Sequence, residues 1–108
     1  MIIIRNNIIP FKGYKCINIS GILFARKNAI LDVYTINHEM IHTKQIIKSF
    51  IIGFYILYGI FYIINIIKYK NYKEAYRNIP FEREAYENEK YLDYLSKRTA
   101  YAWINYIN

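Results

Sequence analysis

A run of nineteen residues without a charged side chain, residues 49–67, limits how this chain can fold. Its length and apolarity suit a helix that crosses a membrane. Lysines lie on both sides of the run, so the charge difference that would orient a spanning helix is weak. Three interpretations stay open: a transmembrane helix, a pair of core helices broken at Gly53 or Gly59, and a hairpin or oblique helix that enters one leaflet.

The only two histidines of the chain precede this run, in the five-residue sequence HEMIH that begins at His38. Side chains four positions apart lie on the same face of a helix, so His38 and His42 can bind one zinc ion. Glu39 lies beside them, where it can act as general base toward a water molecule that the zinc ion activates. The HExxH sequence therefore predicts a metal site on a helix.

The chain before the motif, residues 1–31, has the pattern of β-structure. Residues 14–19 alternate between two faces, and residues 22–26 form a further short apolar segment. A turn is predicted at residues 11–13, and the break at Gly21 suits a hairpin. Two or three strands are therefore predicted here.

Two helices are predicted after the strands. Asp32 is a good N-cap, which predicts a helix over residues 32–48. Pro80 suits the first position of another helix, predicted over residues 80–96. The buried face of the first helix is predicted to contain four apolar residues, Ile36, Met40, Ile47 and Ile51. With 108 residues, the chain suits one α+β domain, with a small antiparallel sheet packed on both helices.

A catalytic zinc site usually has three protein ligands. The chain has no third histidine and no cysteine near the motif, so the third ligand would be a carboxylate. The densest acidic cluster lies on the helix predicted over residues 80–96, and contains Glu82, Glu84, Glu87 and Glu89. Helix periodicity places both Glu82 and Glu84 on the flanks of its buried stripe.

HExxH followed on a later helix by Glu-x-x-Ala-Asp resembles the gluzincin metallopeptidases, which include small minigluzincins and membrane-embedded relatives. Here the second element has the sequence EREAY, beginning at Glu82. The resemblance implies a zincin-like fold with Glu82 as the third zinc ligand, and Tyr86 then stands where the family often has an aspartate. In a second register, Glu84 is the ligand and Asn88 takes the aspartate position.

The resemblance implies a zinc-dependent metallopeptidase, in which His38, His42 and Glu82 bind Zn²⁺ and Glu39 is the general base. It also implies a peptide or protein substrate, bound by strand addition along residues 22–26. Residues 97–108 can occupy the cleft and keep such an enzyme latent. Two alternatives remain: a catalytically inactive zincin-like protein that binds metal or a partner, and a small basic membrane protein with an accidental HExxH.

The zinc site and the uncharged run constrain each other. A single membrane crossing by residues 49–67 would separate His42 from Glu82 by ~30 Å. A shared metal ion therefore requires the run to bend at Gly53 or Gly59, to lie at the interface, or to be buried in the fold.

The net charge of +7 and the 13 tyrosines suit nucleic acid or an anionic membrane surface. No nucleic-acid-binding motif accompanies the charge, so no nucleic-acid partner is expected. The first five residues lack the features of a signal peptide. Cys16 is the only cysteine, which excludes an intrachain disulfide. These features predict a membrane-associated protein on the cytoplasmic side, and none of them predicts an oligomeric state.

Overall fold

The computed structural model describes residues 2–10 and 15–107, so the turn predicted at residues 11–13 lies outside the described residues. The fold is α+β, with a three-stranded sheet followed by helices. The strands are β1 (Ile2–Asn6), β2 (Cys16–Ile19) and β3 (Ile22–Arg26). The helices are α1 (Val33–Lys48), α2 (Ile52–Tyr69), α3 (Tyr72–Arg77), α4 (Pro80–Asn88) and α5 (Tyr94–Lys97), followed by a 3₁₀ helix (Ala102–Tyr106).

The sheet is mixed, so the prediction of an antiparallel sheet is wrong for one of its two pairings. β3 is the central strand, antiparallel to β2 and parallel to β1. The β2–β3 pair follows from a two-residue turn, whose residues Ser20 and Gly21 both have positive φ. Two central residues with positive φ are typical of a type I′ turn, which matches the twist of the flanking strands. The β1–β3 pair joins distant segments, and no local pattern encodes its direction.

α1 begins as predicted, but it buries a different face. The Asp32 side chain accepts a hydrogen bond from the Thr35 main-chain nitrogen and caps the helix. Met40, Ile47 and Ile51, predicted to be buried, are exposed. The buried face is largely polar, and consists of Asn37, His38, Ile41, His42, Gln45 and Ile46. This polar face packs on α4, whose carboxylates supply its hydrogen-bond partners.

The uncharged run bends at its start, not at Gly53 or Gly59, and both glycines lie within α2. Phe50 and Ile51 have positive φ, and the Ile51 main-chain nitrogen donates to the Ile46 carbonyl at 2.8 Å. A hydrogen bond back across five residues is the closure of a Schellman motif, which usually has glycine in the left-handed position. The two residues with positive φ are not glycines, so the sequence pattern did not predict a bend at this position.

The glutamate helix ends at Asn88, earlier than the predicted residue 96. Asn37, next to the first histidine, donates its side-chain amide to the carbonyls of Asn88 and Glu89, at 3.3 and 2.8 Å. These carbonyls belong to the last turn of α4, where no intrahelical partner is available. Asn37 therefore both caps α4 and holds it against α1.

The C-terminal 3₁₀ helix packs on α4, where Trp103 contacts Phe81 with ring centroids 4.7 Å apart. Phe54 and Phe61 of α2 also contact Phe81, which joins these elements in one aromatic cluster.

One side of α2 is largely exposed. Six isoleucines on it, here called the isoleucine face, are 48–72 % exposed: Ile52, Ile56, Ile60, Ile63, Ile64 and Ile67. α2 is long and apolar enough to cross a membrane, and only 6 % of its apolar window is buried in the protein. The helix nevertheless does not separate the two motifs, because α3 and α4 return the chain to α1.

Candidate metal centre

Three side chains from two helices meet at one buried point. His38 and His42 project from α1, and Glu82 projects from the first turn of α4. The two imidazole Nε2 atoms lie 3.1 Å apart, and Glu82 Oε1 lies 3.0 Å from that of His42 and 3.5 Å from that of His38. All three residues are buried, with 4–8 % of their surface exposed.

These distances fit a metal ion of zinc's size. Zinc binds imidazole nitrogen and carboxylate oxygen at about 2.0–2.2 Å, and a tetrahedral arrangement then puts neighbouring ligand atoms about 3.3–3.6 Å apart. The three observed separations of 3.0, 3.1 and 3.5 Å lie close to that range. This buried group can hold a metal ion.

The other nitrogen of each imidazole is held by an oxygen acceptor. His38 Nδ1 lies 2.8 Å from Glu89 Oε1, and His42 Nδ1 lies 2.8 Å from Gln45 Oε1. A carboxylate only accepts, so His38 Nδ1 carries the proton. The Gln45 amide nitrogen donates to the Phe81 carbonyl, which turns its oxygen toward His42. With Nδ1 held in this way, the Nε2 atom of each ring faces Glu82, which is the orientation that metal ligation requires.

The charges at this point favour a cation. Burial lowers the pKa of His42, but the charge and hydrogen bond of Glu82, the charge of Glu39 and the hydrogen bond with Gln45 together outweigh burial and raise this pKa to about 9. Burial likewise opposes ionisation of Glu82, yet the charge of His42 and hydrogen bonds from both histidines and Tyr58 hold the pKa of Glu82 below its usual range. Two electron-rich nitrogens and a carboxylate at this distance need a positive charge between them, and either a proton or a metal ion can supply it.

Glu84, the ligand in the second register, points away from the histidines. Its carboxylate is fully buried, and Arg98 contacts both of its oxygens, with Arg98 Nη2 donating to Oε1 at 3.0 Å. Tyr94 donates its hydroxyl to Oε2 at 2.7 Å, and Gln45 donates its amide to Oε1 at 3.0 Å. The structure thus brings Glu82, and not Glu84, to the two histidines.

A cavity of about 600 Å³ opens beside His42 and Glu82. Glu39, His42 and Glu82 form its polar wall. The rest of the lining is mainly apolar and aromatic, with Ile8, Ile9, Pro10, Ile17, Phe54 and Tyr55. Burial, opposed by the charges of His42 and His38, raises the pKa of Glu39 above its usual value. A carboxyl group with a raised pKa is suited to accept and return a proton.

Two expectations for the surroundings of this cavity are wrong. β3, expected to bind substrate by strand addition, has both edges paired and offers no free edge. β2 lies beside the cavity instead, where Cys16, Ile17 and Asn18 contribute to the lining. None of residues 97–107 lines the cavity, so the described part of the C-terminal segment does not occupy the cleft.

Sequence reasoning assigned no role at this site to Gln45 or Tyr58, and it named Glu89 only as a member of the acidic cluster. Gln45 and Glu89 hold the histidines, and Tyr58 donates its hydroxyl to Glu82 Oε2 at 2.8 Å. Gln45 lies three positions after His42, which is one helical turn, and that spacing is the one local pattern that could have predicted it. Glu89 and Tyr58 come from other elements, and only the tertiary structure brings them here.

The geometry therefore defines one centre, with two histidines and a carboxylate as possible metal ligands and a second carboxylate, Glu39, in the adjoining cavity. A metal ion with three protein ligands keeps a coordination position for water or substrate, which is the arrangement of catalytic zinc sites. Comparison of the chain with protein-family models, with curated proteins and with solved structures finds no match.

Proposed function

We propose that this chain is a zinc-dependent metallopeptidase with a zincin-like fold of the gluzincin type. The observation that carries the proposal is the convergence of His38 Nε2, His42 Nε2 and Glu82 Oε1 within 3.5 Å, with Glu39 in the adjoining cavity. His38, His42 and Glu82 would hold Zn²⁺. The centre has three protein ligands and a free carboxylate, the set that metal-assisted hydrolysis requires.

Each residue of the site has a separate role in this proposal. A bound zinc ion would polarise the scissile carbonyl and lower the pKa of water to about 7. Glu39 accepts the proton of the attacking water and returns it to the leaving amine. Tyr58 fixes the Glu82 carboxylate through its second oxygen. Glu89 and Gln45 keep the imidazole Nδ1 atoms protonated.

The substrate in this proposal is an extended peptide with an apolar side chain next to the scissile bond. The outer edge of β2 pairs with no strand among the described residues, so it can add a peptide strand beside Glu39. The apolar cavity can then accept one substrate side chain, since apolar lining gives affinity for apolar groups.

A measurement of bound metal tests the centre directly. We expect one zinc ion per chain in the purified protein, and we expect chelation to abolish peptide hydrolysis and added zinc to restore it. Metal content is measured by mass spectrometry, and hydrolysis with a mixed library of unblocked peptides. A protein that holds no zinc after incubation with the ion and desalting would refute the centre.

We further infer that the protein lies on the cytoplasmic surface of a membrane, with the isoleucine face in contact with lipid. His42 Nε2 and Glu82 Oε1 are 3.0 Å apart, so α2 does not carry the two motifs to opposite sides of the membrane. In this arrangement α2 lies along the membrane surface. Exposed lysines precede and follow the apolar part of α2 in the chain, and they fit the anionic lipids of the cytoplasmic leaflet: Lys44, Lys48, Lys68, Lys70 and Lys73.

Aspartate substitutions on the isoleucine face test the membrane contact. We expect the Ile56→Asp and Ile63→Asp double variant to bind vesicles containing phosphatidylserine at least about tenfold more weakly, because apolar contact is lost and a charge must enter the lipid. Ile30→Asp is the matched control, since Ile30 is 85 % exposed and lies outside α2. Equal co-sedimentation of the double variant and the wild type would exclude contact through this face.

A further inference from the structure

We propose that Gln45, Glu84 and Arg98 form a positioning relay, which fixes the orientation and tautomer of His42 and thereby sets the affinity of the centre for zinc. The relay rests on the metal centre proposed above and goes beyond it, because two of its members lie outside both motifs. It also gives the C-terminal segment a role other than occupation of the cleft.

Gln45 connects the proposed metal ligand His42 to the buried carboxylate of Glu84. Its amide oxygen accepts from His42 Nδ1 at 2.8 Å, and its amide nitrogen donates to Glu84 Oε1 and to the Phe81 carbonyl, both at 3.0 Å. These two acceptors decide which way the amide faces, since only its nitrogen can donate to them. The side chain is fully buried, so bulk solvent does not reach these contacts.

Arg98 holds the far end of the relay. It contacts both oxygens of Glu84, and the side chains of the pair are only 4 % and 0 % exposed. A bidentate pair of this kind is rigid, because the planar guanidinium matches the carboxylate. Removing Arg98 would leave Glu84 as an uncompensated buried charge and free its carboxylate to turn away from Gln45.

The neutral amide between Glu84 and His42 has a physical consequence. Three carboxylates, from Glu39, Glu82 and Glu89, already surround the two histidines. Gln45 supplies the acceptor that His42 needs without adding a fourth charge next to the metal. Glu84 still orients the Gln45 amide, through the hydrogen bond that it accepts from the Gln45 nitrogen.

The test measures zinc affinity in the folded protein, with no substrate present. We expect Gln45→Leu to raise the zinc Kd about 10–100-fold, as the loss of such outer contacts to a ligand does. Glu84→Gln tests the next member of the relay, because it keeps a side-chain oxygen near the Gln45 nitrogen and removes the charge that pairs with Arg98. We expect it to raise the zinc Kd about three- to tenfold, less than Gln45→Leu does, because Glu84 acts on His42 only through Gln45.

Tyr94→Phe is the matched control. It removes one hydrogen bond to Glu84 and leaves both contacts of the Gln45 nitrogen intact, so its zinc Kd should stay within about threefold of the wild type. A merely structural role would lower the stability of the metal-free protein in the Gln45→Leu variant and leave the Kd of the folded fraction unchanged. That result, or an unchanged Kd in Glu84→Gln, would overturn the relay.

A measurement on the wild type applies even where Gln45→Leu does not fold. In the zinc-loaded protein, ¹⁵N spectra of the imidazoles must show His42 protonated at Nδ1, and protonation at Nε2 would overturn the relay. A wild type that binds no zinc would refute the proposed metal centre together with the relay. Stoichiometric zinc with an unchanged Kd in Gln45→Leu would refute the relay alone.

Discussion

Replacing Glu39 by glutamine is expected to lower the rate of peptide hydrolysis about 10²–10⁴-fold and to leave the bound zinc unchanged. Glutamine has the size and shape of glutamate, but its amide cannot accept the proton of the attacking water. The substitution also preserves local structure, because Asn18 and Thr43 both donate to the main-chain carbonyl of residue 39 and not to its side chain. Glu39 is not one of the three clustered ligands, so metal binding should continue.

Cleavage of a peptide library and zinc content are measured on the same preparations. Glu87→Gln is the control, because it makes the same chemical change at an exposed position of α4. We expect this control to match the wild type in both measurements. Equal cleavage by Glu39→Gln and the wild type would refute Glu39 as the general base. A wild type that binds zinc and cleaves no peptide in the library would favour the alternative of a catalytically inactive zincin-like protein.

The local parts of this fold were predictable from the sequence. Asp32 as N-cap fixed the start of α1, and the four-residue spacing of the histidines placed both rings on one face. Pro80 likewise marked the first position of α4. Each of these features depends on residues within one or two helical turns, where backbone geometry alone determines the outcome.

The buried face of α1 was not predictable from hydrophobicity. Apolar residues occur on several sides of this helix, and the pattern rule selects the largest aliphatic ones. The structure instead buries Asn37, His38, His42 and Gln45, because α4 presents acceptors at the matching positions. A polar face is buried at little cost when every group has a partner, and those partners lie about 40–50 residues away in sequence.

The predictions for the sheet and for the bend of the uncharged run failed for a related reason. The parallel pairing of β1 with β3 joins residues twenty positions apart, such as Ile2 and Ile22, and neither strand encodes its partner's direction. The bend at Phe50 and Ile51 places non-glycine residues at positive φ, where sequence rules expect glycine. Both features depend on packing between elements, which one sequence does not display.

Substitution by glutamine should have different main effects at Glu82 and at Glu84, the two possible third ligands. Glu82→Gln is expected to raise the zinc Kd at least about 100-fold, because a neutral amide replaces the anionic ligand of a three-ligand site. Glu84→Gln should have a smaller effect on zinc, about 10-fold or less, since Glu84 acts only through Gln45. It should instead destabilise the metal-free protein by about 3–5 kcal/mol, because Arg98 loses its buried counter-charge.

Two measurements separate these effects. Competition with a chromophoric chelator gives the zinc Kd, and urea unfolding gives the stability of the metal-free protein. In the metal-free state, Glu82→Gln relieves the burial of a carboxylate while it weakens contacts with two histidines, so its effect on unfolding should be the smaller of the two. If Glu84→Gln instead abolished zinc binding and Glu82→Gln did not, the third ligand would be Glu84. The carboxylate would then have to leave Arg98 to reach the metal, and the register beginning at Glu84 would be the correct one. The described geometry, with Glu82 Oε1 at 3.0 Å from His42 Nε2, predicts the opposite result.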